Sequence, residues 1–314
     1  MADFVIIPDS ASDMTAPLRE RFGIPECRMG TVTYPNGESK EVDLDWETMT
    51  PDEFYGLMKN KSVEFKSSTP IMAKEVEIYK KYLAKGLDII SVSLSSALSG
   101  TYSASVLAAK TALEEYPERK IICVDSLRYS TSLTLLIALA AEQKKQGKTI
   151  EEVADWMNAN KNRIHQMGPM DDLYFLAHKG RISNFKAFFG TMAGVNPMAD
   201  FNKQGLSEVL VKCKGKAMAF DVSIEYIKKT IEDPHDQIIF VAHSARKAFA
   251  EKYAELIQKE IGPKEIILTE VGMSCGINIG PGLCAAFYYG SEISDNLETE
   301  KEYMRQILEN YKKK

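Results

Sequence analysis

Short apolar runs alternate with amphipathic stretches through the first half of this chain, and that alternation restricts its fold more than any other feature. Strands buried on both faces read as continuous apolar runs, and repeated strand and helix units build a parallel sheet covered by helices on both sides. The predicted strands are Phe4–Ile7, Ile89–Val92 and Ile121–Val124. Each ends in polar residues: Asp9-Ser10, Ser93 onward, and Asp125-Ser126. Ligands of open α/β sheets sit beyond the carboxyl ends of the strands, so these tips are candidate site residues on one shared edge. Thr50-Pro51 and Thr69-Pro70 each place a capping hydroxyl before a proline at the first helical position, and Gly86 ends the second of those helices.

The segment SLSSALSGTY, Ser93 to Tyr102, packs five hydroxyl side chains between the second strand and a helix predicted over Tyr102–Glu115. The leading N–H groups of a helix have no internal partner and carry the positive end of its dipole. Ser99 or Thr101 can cap them while Gly100 allows close backbone approach, which suits an anion. An isolated Ser-Gly-Thr is most often an ordinary helix cap, and it is companions elsewhere in the chain that favor the anion reading.

The charged stretch at 148–165 leads into a segment of different character and marks a domain boundary. The expected division is a parallel α/β domain over 1–160, a mixed-sheet α/β domain over 161–290 and a helical extension over 291–314. The second part reads as a strand near Met167–Met170, a helix near Leu173–Ala177 and the loop His178 to Arg181. A hairpin-like pair follows, Leu206–Lys212 and Lys214–Ala219, then helix Val222–Ile231, strand Gln237–Ala242, helix Ala245–Ile261 and strand Glu265–Val271. Asn278 to Gly282 then reads as a second glycine-rich turn opening a short helix, Leu283–Tyr289. Ser294 to Lys314 has the apolar spacing of an amphipathic helix.

With 45% hydrophobic residues, 26% charged residues and a net charge of −5, the chain belongs to the soluble globular class and has no general attraction to nucleic acid. Its N-terminus is acidic where a signal peptide is basic, and no apolar run approaches the ~20 residues of a membrane span, so a cytoplasmic location is expected. The five cysteines are scattered and never spaced as CxxC, as expected for buried thiols. The four histidines show no metal spacing, so no metal site is expected. The sequence lacks the G-x-S-x-G elbow, the phosphate loop G-x-x-x-x-G-K-[ST] and a G-x-G-x-x-G after the first strand. His243 is open to a general-base reading or to a surface hydrogen bond, and Asp9 and Asp125 to acid roles or to binding loop N–H groups.

Taken in order, Asp9-Ser10-Ala11-Ser12-Asp13, Ser67-Ser68-Thr69-Pro70, Ser95 to Thr101, Asp125-Ser126, Lys179-Gly180-Arg181-Ile182 and Gly280-Pro281-Gly282 resemble the motif set of DegV-like proteins. The resemblance runs from about residue 3 to residue 290, and its specificity lies in the ordered set. It implies a two-domain α/β fold holding one long-chain fatty acid as ligand, with no cofactor. It also implies a binding subunit of a bacterial fatty acid kinase, a carrier that presents the carboxylate to a separate ATP-using kinase subunit. Transient membrane contact would accompany such lipid exchange. A lipid-loaded sensor and an acyl or phosphoryl transferase using Ser99 are the alternatives, and no evident base adjoins Ser99 in the sequence.

By motif, Ser99 takes the carboxylate, Ser67 stands where the family usually has threonine, and Asn278 stands where it usually has histidine. Ser68, Gly100, Thr101, Gly280 and Gly282 shape the supporting turns. Hydrogen bonds to a charged group contribute about 1.5–3 kcal/mol each, and each buried methylene about 0.8 kcal/mol. The acyl chain therefore requires an apolar channel, for which Phe175, Phe188, Phe189, Met192 and Met198 are candidates, with core packing as the alternative for each. Ser132 and Thr134 replace the family's small glycines and would narrow that cavity. Arg181 and Lys214 are the candidates for docking a partner, Lys214 standing where arginine is usual.

Overall fold

The computed structural model describes residues 3–171, 173–182 and 194–313. They divide into two compact units, one formed by 1–48, 62–161 and 272–277, the other by 49–61, 162–271 and 278–314.

The first unit contains β1 (Phe4–Pro8), α1 (Ala16–Phe22), β2 (Thr31–Thr33) and β3 (Ser39–Glu41). The chain then makes α2 (Pro51–Met58), which belongs to the second unit. It returns through β4 (Lys66–Ser68), α3 (Met72–Leu83), β5 (Asp88–Ser93), α4 (Thr101–Leu113), β6 (Ile121–Asp125), α5 (Thr131–Lys145) and α6 (Ile150–Asn160). The main sheet has the order β1-β5-β6 and is parallel throughout. Its center is β5, buried at every residue, with α3 and α4 packed against it, α5 on β1, and α6 on β5 and β6. Ile7 and Ile89 join Tyr79, Leu83, Ala108 and Ala112 in this core. Parallel pairing puts Pro8, Ser93 and Asp125 at one end of the sheet, as the polar strand tips predict. A smaller antiparallel sheet, β3-β2-β4, completes the unit.

The second unit continues with β7 (Ile164–Met167), α7 (Tyr174–His178), β8 (Val195–Phe201), β9 (Ser207–Lys214) and α8 (Lys216–Thr230). Then come β10 (Ile238–His243), α9 (Lys247–Glu260), β11 (Glu265–Glu270), α10 (Met273–Ile279), β12 (Cys284–Tyr289) and α11 (Glu298–Lys313). The first five residues of α10 fall in the first unit and its last two in the second. The sheet β11-β10-β12-β7 is mixed: β10 pairs parallel with β11 and antiparallel with β12, which pairs antiparallel with β7. Val222, Ile227, Val241, Tyr253 and Ile257 pack in its core, and the amphipathic α11 lies along α8 and β9.

Three local expectations are corrected. The hairpin is β8 with β9, turning at Asn202 to Leu206, where Asn202 accepts from the N–H groups of Gln204 and Leu206 and Gly205 takes φ +83°. Lys214–Ala219 instead ends β9 and begins α8, because Gly215 (φ +78°) breaks the strand before a run of good helix formers. The helix expected over Leu283–Tyr289 is instead the strand β12, Cys284–Tyr289: flanked by β10 and β7, it finds its hydrogen bonds across the sheet, and a short apolar run does not reveal its own period. Thr69 does not cap α3, which starts at Met72 after an uncapped Ile71, since pairing of β4 with β2 keeps the chain extended through Ser68.

Candidate functional site

At the head of α4 the hydroxyl-rich turn is tightly organised. Ser95 anchors it: its N–H donates to the Arg128 carbonyl (2.8 Å), and its own carbonyl accepts from the N–H groups of Leu98 (3.0 Å) and Ser99 (3.3 Å). The Ser96 N–H reaches Asp125 Oδ1 (3.1 Å), tying the turn to the end of β6. No side chain caps α4, whose N-cap position is Gly100. Ser99 Oγ, one residue before the N-cap, accepts from the Thr101 N–H (3.3 Å) and bonds the Thr101 hydroxyl (2.9 Å) at the first residue of the helix. The half-buried Ser99 hydroxyl and the positive end of the α4 dipole thus stand together, an arrangement that favors an anion.

A second turn forms the neighboring rim. Asp9 caps the short helical turn Ser10–Ser12, accepting from the Ala11 N–H (2.8 Å), and its other oxygen accepts from the Leu94 N–H (2.8 Å). Asp9 and Asp125 therefore hold backbone N–H groups, the structural reading of the two left open by the sequence. Ser10 Oγ accepts from the Gly30 N–H (3.0 Å) and lies 3.2 Å from Ser274 Oγ of α10. Gly30 also lets β4 approach, because a Cβ there would fall 2.6 Å from the Ser68 carbonyl oxygen. Through Gly30 the exposed strand carrying Ser67 and Ser68 lies beside the Ser10 turn.

Beneath both turns sits Arg28, fully buried and not anticipated from the sequence. Its guanidinium donates to Glu75 Oε1 (2.5 Å), the Val92 carbonyl (2.6 Å) and Ser93 Oγ (2.9 Å). Burial pushes both the Asp9 and the Glu75 carboxyl above the usual range, against the opposing pull of Arg28. No spacing rule links Arg28 to Glu75, 47 residues on; the one signal available was Glu75 on the helix face that carries Tyr79, Tyr82 and Leu83.

Other expected site residues have plain positions. Ser132 and Thr134 are buried at the head of α5, their hydroxyls on the Tyr129 and Ser12 carbonyls. Met198 is a core residue of the second unit, 1% exposed, with Ser223 Oγ 3.3 Å from its sulfur. Phe175 is half-buried, edge-on to Tyr174, and its ring fills the space where a Cβ on Gly280 would be, 2.1 Å away. Phe188, Phe189 and Met192 lie outside the described residues. Asn278 is half-buried near the end of α10. Gly280 (φ +79°) and Gly282 (φ +107°) follow that helix and lead into β12, so this turn is not a helix N-terminus. Ser244 fastens it, donating to the Gly280 carbonyl (2.8 Å) and accepting from the Leu283 N–H (2.9 Å).

Arg181 and Lys214 are both exposed, Arg181 just after Gly180 (φ +68°) ends α7 and Lys214 at the end of β9. His243 is buried, its Nδ1 3.0 Å from Glu270 and 3.3 Å from the Arg246 N–H. All five cysteines are free. Among the described residues no group of three or more acidic, histidine or cysteine side chains could hold a metal, and no helix is long and apolar enough to cross a membrane.

A family model described as an uncharacterised protein of the DegV family matches residues 3–291. This chain belongs to the DegV family. A DegV domain-containing protein of Clostridium perfringens is 32% identical over 290 residues, spanning 92% of this chain and 98% of its own length. Solved DegV structures share the fold. A Thermus thermophilus DegV family protein described by its fatty acid binding superposes with a TM-score of 0.81 at 22% identity, over 93% of this chain and 100% of that one. A DegV family protein of Eubacterium eligens loaded with heptadecanoic acid gives a TM-score of 0.79 at 19% identity, over 92% of this chain and 100% of that one. The DegV fold is thus present here as a parallel α/β unit and a mixed-sheet unit.

Proposed function

We propose that this DegV protein binds one long-chain fatty acid, takes its carboxylate at the Ser99 turn, and presents it to a separate kinase subunit for acyl phosphate formation. The observation that carries the reading is the Ser99 and Thr101 hydroxyl pair at the uncapped head of α4, in a fold whose relatives include one loaded with heptadecanoic acid. Ser99 can turn its O–H from Thr101 to an incoming carboxylate, and the helix dipole favors the negative charge. Ser67, on the strand beside the Ser10 turn, is a second hydroxyl of the same unit. The chain acts as a carrier in the cytoplasm, with Arg181 and Lys214 as its contacts to the kinase.

Native mass spectrometry of protein purified from bacteria tests the reading. One co-purified fatty acid is the expected result, and Ser99→Ala should weaken its binding about tenfold to a hundredfold, the equivalent of one hydrogen bond to a charged group. A protein that is empty and turns over acyl substrates would instead be an enzyme.

A further inference from the structure

We propose that Arg28 is a positioning residue for the carboxylate turn and supplies the fixed positive charge a bound carboxylate senses there, with Glu75 moderating that charge. The inference rests on the reading that the Ser99 turn holds a carboxylate. Its geometry is independent of that reading. The Arg28 side chain grips the last carbonyl before the turn, Val92, and the first hydroxyl in it, Ser93. Its backbone meanwhile closes the end of β1, donating to the Pro8 carbonyl (2.8 Å) and accepting from the Ser10 N–H (3.0 Å). One residue therefore sets the spacing of the two polar strand tips.

The charge argument follows from burial. Arg28 and Glu75 are 0% and 1% exposed, so water screens neither. They meet through one hydrogen bond and not a bidentate fork: Arg28 Nε and Glu75 Oε2 have no hydrogen-bond partner among the described residues. The pair is neutral as a whole, so what reaches the turn is the field of its dipole, whose guanidinium end is the one that touches Val92 and Ser93. A guanidinium keeps its proton at every working pH, so its field at the turn is permanent. Asp9, held by the Ala11 and Leu94 N–H groups, is a second buried carboxyl that offsets Arg28 as Glu75 does, so Arg28 is the cation between two carboxyls, while Tyr79 of α3 bonds Ser91 one pleat below.

The test compares affinity for a saturated fatty acid with affinity for the fatty alcohol of equal length, which fills the same volume without charge. In Arg28→Met the acid-to-alcohol ratio should fall about tenfold, the effect of one unit charge acting across a single turn at protein-like dielectric. In Glu75→Gln, which is nearly isosteric, the ratio should rise several-fold because the guanidinium is less neutralised. Opposite signs are the signature. A purely structural role would weaken both ligands together and leave the ratio alone. If Arg28→Met does not fold, Glu75→Gln decides the matter by itself. A ratio at the wild-type value in a folded variant overturns the proposal while leaving fatty acid binding intact. A wild-type protein that binds neither ligand overturns both.

Discussion

Gly280 shows how one residue's backbone and its neighbor's ring are settled together. Its φ of +79° is costly for any residue with a Cβ, and that Cβ would fall on the Phe175 ring. Gly280→Ala should therefore destabilise the protein by about 2–4 kcal/mol, combining roughly 1 kcal/mol of backbone strain with overpacking. Adding Phe175→Ala should then cost less than that change costs in the parent, because the clash is gone. Urea denaturation of the four forms measures this coupling, and additive effects would show that ring and glycine are independent. Arg181 presents the opposite case, an exposed side chain just past the end of α7. Arg181→Ala should leave stability within about 0.5 kcal/mol and fatty acid retention unchanged, as for other exposed positions. Acyl phosphate formation with an added fatty acid kinase should fall, and loss of retained lipid would contradict the division of roles.

Among the elements, α2 depends most visibly on local chemistry. Thr50 Oγ1 accepts from the Glu53 N–H (3.3 Å) while the Glu53 carboxylate accepts from the Thr50 N–H (2.9 Å), a complete capping box with proline following. The same box recurs at Thr149 and Glu152 of α6. Within its unit α2 is also fixed at its middle, where the buried Tyr55 hydroxyl donates to the Val271 carbonyl (2.6 Å). Thr50→Ala should cost about 1 kcal/mol, read from the denaturation midpoint, and Thr50→Ser should recover most of it. A loss no smaller for serine than for alanine would mean that the methyl group's packing, and not the cap, carries the effect.

For the molecule as a whole, the buried thiols and phenols set the alkaline limit. Burial pushes Cys27 and Cys284 up to about 12 from 9.0, Cys213 up to about 11, and Tyr79 up to about 12 from 10.0. Because the folded values are raised, the unfolded chain ionises first. The associated stability is complete below about pH 9 and is lost as pH rises toward 12. The thermal midpoint should therefore be level from pH 7 to 8 and fall steadily above 9. At pH 8 a thiol-specific disulfide reagent should label the native protein slowly and all five cysteines after unfolding. A midpoint unchanged between pH 8 and 11 would show that these groups titrate alike in both states.

Local rules carried much of the reading: continuous apolar runs announce the parallel strands, Ser or Thr before proline announces α2, and the Ser99-Gly100-Thr101 turn lies at the head of α4 as its composition suggests. Such signals act over a few residues, where hydrogen bonds and side-chain period are decided by near neighbors. Thr69 shows their limit, since an equally good local cap yields to the pairing of β4 with β2. The strand state of Cys284–Tyr289 needed partners from β10 and β7, and its sequence alone is equally a helix. The placement of 49–61 in the second unit and 272–277 in the first, and the meeting of Arg28 with Glu75, depend on contacts between distant segments. Sequence by itself determined which segments could be strands, helices and polar tips. The tertiary structure alone decided which tips share a buried charge, because burial and long-range pairing exist only once the chain has closed on itself.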